Sequence, residues 1–344
     1  MKARGIDAKA INIVKKLKLI STKKAIKHRI PEYNKASFTD IYKRCKETVA
    51  CFIHDPDPRS ALEVTPEERE EFWEQRYLEP GFGIWIGNFK DILTNQKAND
   101  LASEFAAKKI KQRVNDPETA DLLIPKNHGF GTRRLPLETG YYEVYNQENV
   151  TLIDINKTPI ECINENGIKT SEKAFEFDLL IYATGFDGVT GPYDRIDIKG
   201  KEGRCLKEEW TTFPRTLFGM QVDGFPNMLM ILGPHTARGN IPRNIEEVVE
   251  WQTDLISFMM ANEFDRVEPD TIAVDEWINT VSKASEGLLS SKIASWQTGV
   301  KRNVEGRSAP RVLGYNGGAV RYRKIIASVA TRKYQEFLFS KIEK

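Results

Sequence analysis

The spacing of apolar side chains predicts helices in the first third of the chain, from about residue 38 to residue 125. The segment TPEEREEFWEQRYL begins with Thr65 in an N-cap position, and Glu68 follows where a capping box requires an acid. A further short helix is expected to begin at Asp116 and Pro117. In KANDLASEFAAKKIKQRV the large apolar side chains fall near one face, with charges opposite: Leu101, Phe105 and Ile110.

From about residue 126 the pattern changes to short apolar runs that are separated by Gly, Pro and Asn. Alternation predicts strands at 149–155 and 159–163, and an Asn-Gly pair predicts a turn within 164–170. The run FDLLIYATG at 177–185 predicts a last strand, which ends in small residues. Short strands joined in this way are typical of the β-meander found late in a dinucleotide-binding domain.

We interpret the chain from Gly191 onward as a separate unit, so that the whole predicts an α/β fold class. This unit contains the segment RIDIKG, a Pro-flanked strand at 225–234 and a strong helix from Pro242 to about Asn262. One face of that helix is apolar, and it carries Val248, Trp251, Leu255 and Met259.

Composition excludes several classes of protein. A chain of 344 residues with 40% hydrophobic and 29% charged side chains is typical of a soluble globular protein of about two domains. The net charge of +2 gives no overall bias toward nucleic acid or acidic membranes. Four scattered cysteines without a C-x-x-C pair favour reduced thiols over a zinc site or a disulfide framework. No apolar run suits a membrane helix and no signal peptide is visible, so we expect a cytoplasmic protein.

The N-terminal residues 1–29 are strongly basic. They hold ten Lys or Arg against one Asp, a net charge of +9, so the remainder of the +2 chain carries −7. A surface helix or frayed leader is favoured, and an organelle-targeting segment or a membrane-surface anchor are the alternatives.

The glycine-rich segment GFGIWIG at 81–87 invites a comparison with phosphate-binding loops. A genuine pyrophosphate loop follows a strand and opens a helix, because its glycines let the backbone reach the phosphates. Here a predicted helix and a proline precede the glycines. We therefore predict an aromatic connector rather than a cofactor loop.

The stretch LGPHTARGNIPRNIEEVVEW at 232–251 predicts a strand, a loop and a helix. Asn240 or Asn244 would cap the helix, and Glu246 and Glu247 would lie in its first turn. The free backbone N–H groups at this helix start either form part of a simple strand–loop–helix or donate hydrogen bonds to an electron-rich edge of a ligand.

Other polar positions leave alternatives open. Adjacent arginines Arg133 and Arg134 lie in a loop, where they are either solvated or bind phosphates and oxyanions. Trp296 either packs or contacts a ligand, and His235 is either a hydrogen-bonded loop residue or part of a pocket. No Ser/His/Asp or Cys/His constellation follows from the spacing.

Several segments together match the order and spacing of one known family. They are FGTRRLPLETGYYEVYNQENVTLIDI, ATGFDGVTG, RIDIKG, WTTFPRTLFGMQVDGFPNMLMILGP, GNIPRNIEEVVEW, SWQTG and GGAVRYRK. The chain thereby resembles the flavin-dependent Baeyer–Villiger monooxygenases from about residue 30 to its end. The ATGFD element is shared by many flavoproteins, whereas the FGTRR loop, the GNIPRNIEEVVEW block and SWQTG are specific to this family.

The resemblance implies an incomplete two-dinucleotide-binding fold of FAD/NADPH Rossmann type with a helical insertion. Residues 1–29 are then an unmatched basic leader and 30–130 the helical insertion. Residues 131–190 correspond to the C-terminal part of the NADPH-binding domain and 191–344 to that of the FAD-binding domain. The family's two G-x-G-x-x-G loops and its F-x-G-x-x-x-H-x-x-x-W signature have no counterpart. We therefore expect a match to the last three-fifths of the enzyme, with a complementary N-terminal chain as a partner.

The chemistry implied by the resemblance begins when NADPH reduces FAD. Reduced flavin and O2 form a C4a-peroxyflavin, which attacks a ketone and gives an ester or a lactone. Arg134 matches the family's active-site arginine, and Arg133 matches its neighbour, which contacts NADP. Trp296 also matches a position that contacts NADP. The other matched cofactor positions are Thr184, Gly185, Asn240 and Ile241.

Two alternatives to ketone oxidation stay open. The chain is either a truncated homologue or fragment without catalysis of its own, or a flavin enzyme that oxygenates nitrogen or sulfur. The arginine pair favours ketone oxidation, because a peroxide anion needs a fixed cation more than a protonated hydroperoxide does.

Overall fold

The structure is a computed structural model, and it describes residues 12–14, 38–79, 81–300 and 308–342. Most of the basic segment 1–29 therefore lies outside the described residues. Where the chain is described, no helix is long and apolar enough to cross a membrane.

The first part of the chain is helical, as the sequence predicts. Its helices are α1 (Phe38–Glu47), α2 (Pro66–Leu78), α3 (Gly83–Ile86), α4 (Gln96–Arg113) and α5 (Pro117–Leu123). The capping box between Thr65 and Glu68 is present at the start of α2. Phe105 and Ile110 are buried on α4 and Leu101 is half-buried, so the predicted apolar face is confirmed. The core of this helical region also holds Trp73, Phe89 and Ile92.

The β-rich part consists of short antiparallel strands. Strand β1 (Asn12–Val14) pairs with β2 (Val150–Leu152). Strands β3 (Ile160–Asn164), β4 (Gly167–Thr170) and β5 (Ala174–Glu176) form a three-stranded meander in chain order. Asn164 Oδ1 accepts hydrogen bonds from the backbone N–H groups of Asn166 and Gly167, at 3.0 and 2.9 Å. The predicted turn and the strand predicted at 159–163 are confirmed, whereas the strand near 149–155 lies outside the three-stranded meander.

The predicted strand at 177–185 is wrong. The meander ends with β5, and Phe177 N–H adds one hydrogen bond to the carbonyl of Asn166, at 3.0 Å. Beyond it the backbone makes no strand, and Leu179, Ile181 and Tyr182 are exposed. A strand exists only beside a neighbour that accepts its hydrogen bonds, and the described chain places no strand there.

The C-terminal part has a large apolar core, which Cys51 joins, and a smaller apolar cluster around Trp210. Its elements are α6 (Leu206–Glu209), α7 (Ile241–Ala261), β6 (Arg266–Pro269), α8 (Thr271–Lys283), α9 (Ala319–Thr331) and β7 (Phe337–Ser340). Strands β6 and β7 pair antiparallel, so that the last strand closes back on the unit. Val248, Trp251 and Leu255 are buried and Met259 packs against the same core, which confirms the predicted face of α7.

The predicted strand at 225–234 is also wrong, although its apolar side chains are placed as expected. Phe225 and Met230 are buried. Asn227 and Leu232 have φ values of 57° and 58°, which interrupt an extended conformation. The backbone makes single hydrogen bonds instead, such as Met230 N–H to the carbonyl of Met220 at 2.8 Å.

The start of α7 differs in detail from the prediction. Asn240 is the N-cap residue, but its side chain makes no capping hydrogen bond. Asn244 lies inside the helix, and its Nδ2 donates to the carbonyl of Ala237 at 3.0 Å. The helix begins at Ile241, so Glu246 and Glu247 lie in the second turn rather than the first. The first turn therefore carries no acidic side chain.

Candidate functional site

The loop that carries the two arginines is held by helix α4. The side chain of buried Asn99 donates to the carbonyls of Ile92 and Phe130, both at 2.8 Å. The N–H of Phe130 donates to Ser103 Oγ at 2.9 Å. Buried backbone groups of the loop thus have partners on the helical region, which fixes where the loop leaves it.

Two glycines let this loop approach its neighbours closely. A Cβ atom at Gly129 would lie 1.8 Å from Asn99 Oδ1. Gly131 has φ +68°, and a Cβ there would lie 2.9 Å from the indole of Trp85. A side chain at either position would push the loop away from the helical region.

The two arginines point to different surroundings. The guanidinium of half-buried Arg133 donates to the carbonyl of Ala294 at 2.8 Å. Arg134 is exposed, and its guanidinium carbon lies 5.1 Å from the ring centre of Phe82 and 5.7 Å from that of Trp85. Those distances are in the range of cation–π contacts. One arginine therefore ties the loop to the C-terminal part, while the other remains available to a ligand.

The electrostatics of the loop are positive. Partial burial lowers the pKa of His128, and the nearby Arg133 charge lowers this pKa further. His128 is therefore held in its neutral form at physiological pH, which leaves the arginine charges as the dominant field of the loop.

Trp296 begins a short 3-10 turn, Trp296–Thr298, which Ser295 caps. Its side chain is 49% exposed, and a Cβ atom at Gly188 would lie 3.0 Å from the indole. Gly188 follows the ATGFD element directly, so this stretch packs under the ring of Trp296. The ring of Trp296 therefore packs on one side, and the rest of it is open to solvent.

The turn that carries Trp296 is tied to a third arginine. Arg238 donates from its guanidinium to the carbonyl of Gln297 at 2.9 Å, and burial lowers its pKa. Arg133 reaches Ala294 on the other side of the same segment. The structure therefore places Arg133, Arg238 and Gly188 around the segment that carries Trp296, with Arg134 next to Arg133 in the chain. An exposed guanidinium and an exposed indole suit a ligand that carries anionic groups and a planar ring.

The other four predicted cofactor residues lie in the irregular segment after β5 and at the start of α7. Thr184 and Gly185 are exposed in the irregular segment, and Ile241 is 53% exposed at the start of α7. The N–H of Asn240 donates to the carbonyl of Ala50 at 2.9 Å. Within the described parts of the chain, none of these four makes a hydrogen bond to Arg134 or Trp296.

The sequence analysis missed three residues of the site, namely Phe82, Trp85 and Arg238. The segment 81–87 is indeed a connector, with a single helical turn, α3. The aromatic side chains of this segment were the one feature in the sequence that could have indicated a role in the site. Their position under Arg134 follows only from the fold. Arg238 lies in the stretch 232–251, whose sequence pattern indicates only a helix start.

His235 is a structural residue rather than part of a pocket. It is fully buried, and its Nε2 lies 3.1 Å from the carbonyl of Val312, to which it must donate. Its Nδ1 lies 3.1 Å from Thr216 Oγ1, and its ring stacks on Phe213. Burial lowers the pKa of His235 to about 4, although the hydrogen bond to Val312 acts in the opposite direction.

Acid is therefore expected to destabilise the protein through His235. Between the unfolded pKa of about 6.5 and the folded pKa of about 4, the unfolded state binds more protons. The stabilisation is complete above the higher pKa and is lost as the pH falls to the lower one, on the order of 3 kcal/mol. Urea unfolding at about pH 7 and about pH 4.5 measures this loss. His235→Gln should show a smaller loss; an equal loss in both proteins would contradict the assignment.

No group of His, Cys, Asp and Glu side chains within the described ranges could hold a metal ion. All four cysteines lie in these ranges as free thiols.

Comparison with known proteins supplies the context of this site. No family model matches the chain. The 2-oxo-Δ3-4,5,5-trimethylcyclopentenylacetyl-CoA monooxygenase of Pseudomonas putida is 40% identical over 304 residues, which are 87% of this chain and 55% of that protein. The acetone monooxygenase (methyl acetate-forming) of Gordonia sp. strain TY-5 is 37% identical over 81% of this chain and 52% of its own length. The chain thus spans about half the length of the curated relatives it matches.

A third relative carries out a different oxygenation. Phenazine N-monooxygenase PhzNO1 of Lysobacter antibioticus is 36% identical over 90% of this chain and 56% of its own length. Among solved structures, OTEMO in complex with FAD and NADP matches with a TM-score of 0.85 at 38% identity. The match covers 90% of this chain and 57% of OTEMO. The α/β fold class predicted from the sequence is confirmed by this likeness.

Proposed function

Because this chain belongs to the family of flavin-dependent Baeyer–Villiger monooxygenases, we propose that it acts with FAD, NADPH and O2 to convert a ketone into an ester or a lactone. One observation carries the proposal. Arg134 presents an exposed guanidinium on the same loop from which Arg133 reaches Ala294, two residues before the half-exposed Trp296. A fixed cation at this place stabilises the negative charge that develops when a peroxide oxygen adds to a carbonyl.

The residues present fit NADP(H). Arg133 and Arg134 supply permanently charged donors for its phosphates, and Trp296 supplies a ring face for a planar group. Gly188 leaves the space that the indole occupies, so the ring is held in one orientation. When bound, NADPH supplies the hydride and FAD supplies the activation of oxygen. Arg238 holds the turn that carries Trp296 through the carbonyl of Gln297.

For FAD, the described chain offers backbone rather than charged side chains. The first turn of α7 has N–H groups without a side-chain cap, and the adjacent Asn240 and Ile241 would lie beside the flavin ring. Thr184 and Gly185 would let the backbone pass close to a cofactor, since Gly185 has φ 80°.

The domain boundaries form part of the proposal. Residues 30–130 would be the helical insertion, and helices α2 and α4 of that range share an apolar core. Residues 131–190 would complete the NADPH-binding domain and 191–344 the FAD-binding domain. The core around α7 supports the last of these divisions, although Cys51 of the first range joins it.

We further propose that a complementary polypeptide covers the segment 177–186. Its apolar side chains Leu179, Ile181 and Tyr182 are exposed, and Phe186 is 98% exposed. A contiguous apolar run of this kind is typical of a surface that packs against another element. Strands placed beside it would also accept the hydrogen bonds of its backbone. Use of NADPH and four free cysteines favour a reducing, cytoplasmic location.

The test is flavin binding with and without that polypeptide. The chain is purified alone, and also after co-expression with the part of the Pseudomonas putida relative that it does not match. We expect no bound FAD for the chain alone, and a flavin absorbance band together with lactone from cyclopentanone for the pair. Bound flavin in the chain alone would refute the need for a partner. A flavin-bound pair that consumes NADPH without oxygenating any ketone would refute the proposed activity.

N-oxygenation is the second candidate, and the relationship to the phenazine N-monooxygenase is the observation that favours it. The same flavin-bound pair offered phenazine or cyclopentanone distinguishes the two activities by product. The exposed cation of Arg134 favours the ketone, since a neutral aromatic amine develops no oxyanion at carbon.

A further inference from the structure

The guanidinium of Arg134 rests on two aromatic rings of the connector. We call Phe82 and Trp85 the aromatic pair. Their own ring centres lie 5.8 Å apart at an interplanar angle of 71°, and Phe52 packs edge-on against Phe82 at 5.3 Å. The pair is therefore itself braced, and it offers a preformed surface to a cation.

Arg134 differs from many other arginines in its partners. Among the described residues it forms no salt bridge and no side-chain hydrogen bond, whereas many other arginines pair with acids. Arg113, for example, lies 2.6 Å from carboxylates of both Glu138 and Glu143. Aromatic rings orient a cation and leave its charge and its N–H donors available to a ligand.

The backbone of the arginine loop does not depend on the aromatic pair. Asn99 and Ser103 hold Phe130, and Arg133 holds the other end through Ala294. Trp85 packs against the backbone of the loop at Gly131. Loss of a ring face should therefore release the side chain of Arg134 while its backbone stays in place.

We propose that Phe82 and Trp85 are positioning residues that hold the Arg134 guanidinium in the orientation in which it meets the anionic ligand. The inference deepens the proposed function, because it concerns the same site, and it rests on that function for the identity of the ligand as NADP(H). It concerns the free protein, in which the side chain of one cation is held rigid before the ligand binds.

The experiment measures that order directly. The chain is labelled with 15N at arginine, and the Nε–Hε signal of Arg134 is assigned by its loss in Arg134→Lys. Relaxation of this signal is compared among wild type, Trp85→Leu, Trp85→Phe and Phe82→Leu. Phe72→Leu is the matched control, since Phe72 lies in the same helical region and carries Arg59 and Arg76 on its face instead. Binding of NADP+ is measured by calorimetry on the flavin-bound pair of polypeptides that contains wild type or each variant.

We expect the Arg134 signal to be ordered in wild type and in Trp85→Phe, and mobile in Trp85→Leu and in Phe82→Leu. The backbone amide of Phe130 should keep its order in all of them. The NADP+ dissociation constant should rise about two- to fivefold in both leucine variants of the pair, which is the range of an exposed cation–π contact. Phe72→Leu should change neither quantity.

Two results would overturn the inference. One is an Arg134 side chain that is equally mobile in wild type and in both leucine variants. The other is a loss of order at Phe130 that accompanies the loss at Arg134, since that would make the rings mere packing for the loop. Should Trp85→Leu fail to fold, Phe82→Leu decides alone. Failure of NADP+ to bind wild type would count against the proposed function, whereas the relaxation result tests the positioning role without any ligand.

Discussion

Replacing Arg134 by alanine is expected to lower ester formation from a ketone by about a hundred- to a thousandfold, the usual effect of removing one preorganised donor from a developing oxyanion. The guanidinium of Arg134 is exposed and lies on Phe82 and Trp85, with no acidic partner in the described chain. It has no fold-stabilising salt bridge to lose, so the loss should fall on the reaction. FAD should still bind, and NADPH should still be consumed, with hydrogen peroxide as the product.

The measurement is the lactone formed from cyclopentanone by the flavin-bound pair of polypeptides, determined by gas chromatography. Arg134→Lys should recover only part of the rate, because an ammonium group lacks the planar fork of donors. The control is Arg215→Ala, since Arg215 pairs at the surface with Asp275, 2.7 Å away, in the C-terminal part. It should leave the rate within about twofold of wild type, as expected for a surface pair. Lactone formation by Arg134→Ala at the wild-type rate would remove Arg134 from the reaction.

Replacing Trp251 by alanine is expected to lower the free energy of unfolding by about 3–5 kcal/mol. The side chain is buried at the centre of the C-terminal core, and its Nε1 donates to the carbonyl of Ile326 at 2.8 Å. Its ring lies 5.3 Å from Tyr334 and 5.8 Å from Phe337. The variant would lose these contacts and one buried hydrogen bond, and it would leave a cavity.

Trp296→Ala provides the matched comparison, because that tryptophan is 49% exposed and its ring packs mainly on Gly188. We expect its unfolding free energy to change by less than about 1 kcal/mol, as at most exposed positions, and its NADP+ affinity to fall. Urea unfolding and calorimetric NADP+ titration check the two variants side by side. A loss of stability of similar size in both would contradict the assignment of Trp251 to the core and Trp296 to the ligand face.

The features that follow from local sequence were predicted well. The capping box at Thr65 and the apolar face of α7 depend on side chains within a few positions of each other. The strands predicted at 177–185 and 225–234 are wrong, because strand formation depends on residues that are distant in the sequence. Their apolar runs are clear, but a strand also needs a neighbour in space, and in the second run Asn227 and Leu232 adopt positive φ.

In the site, too, local sequence predicted less than the contacts between distant segments determine. Arg133, Arg134 and Trp296 were identified through a family resemblance, whereas their local pattern alone left them ambiguous. The contact of Arg134 with Phe82 and Trp85 joins positions about fifty residues apart, so neither loop alone indicates it. The connector at 81–87 lacks the features of a cofactor loop, yet the fold makes its rings part of the site.

The central claim is that this chain carries the ketone-oxygenating site of a flavin enzyme. Its most direct test is oxidation of cyclopentanone under 18O2 by the flavin-bound pair, with the product examined by mass spectrometry. We expect a lactone that contains one 18O atom, formed only when NADPH is present. Unlabelled lactone, or NADPH consumption that yields hydrogen peroxide and no lactone from any ketone offered, would contradict the claim.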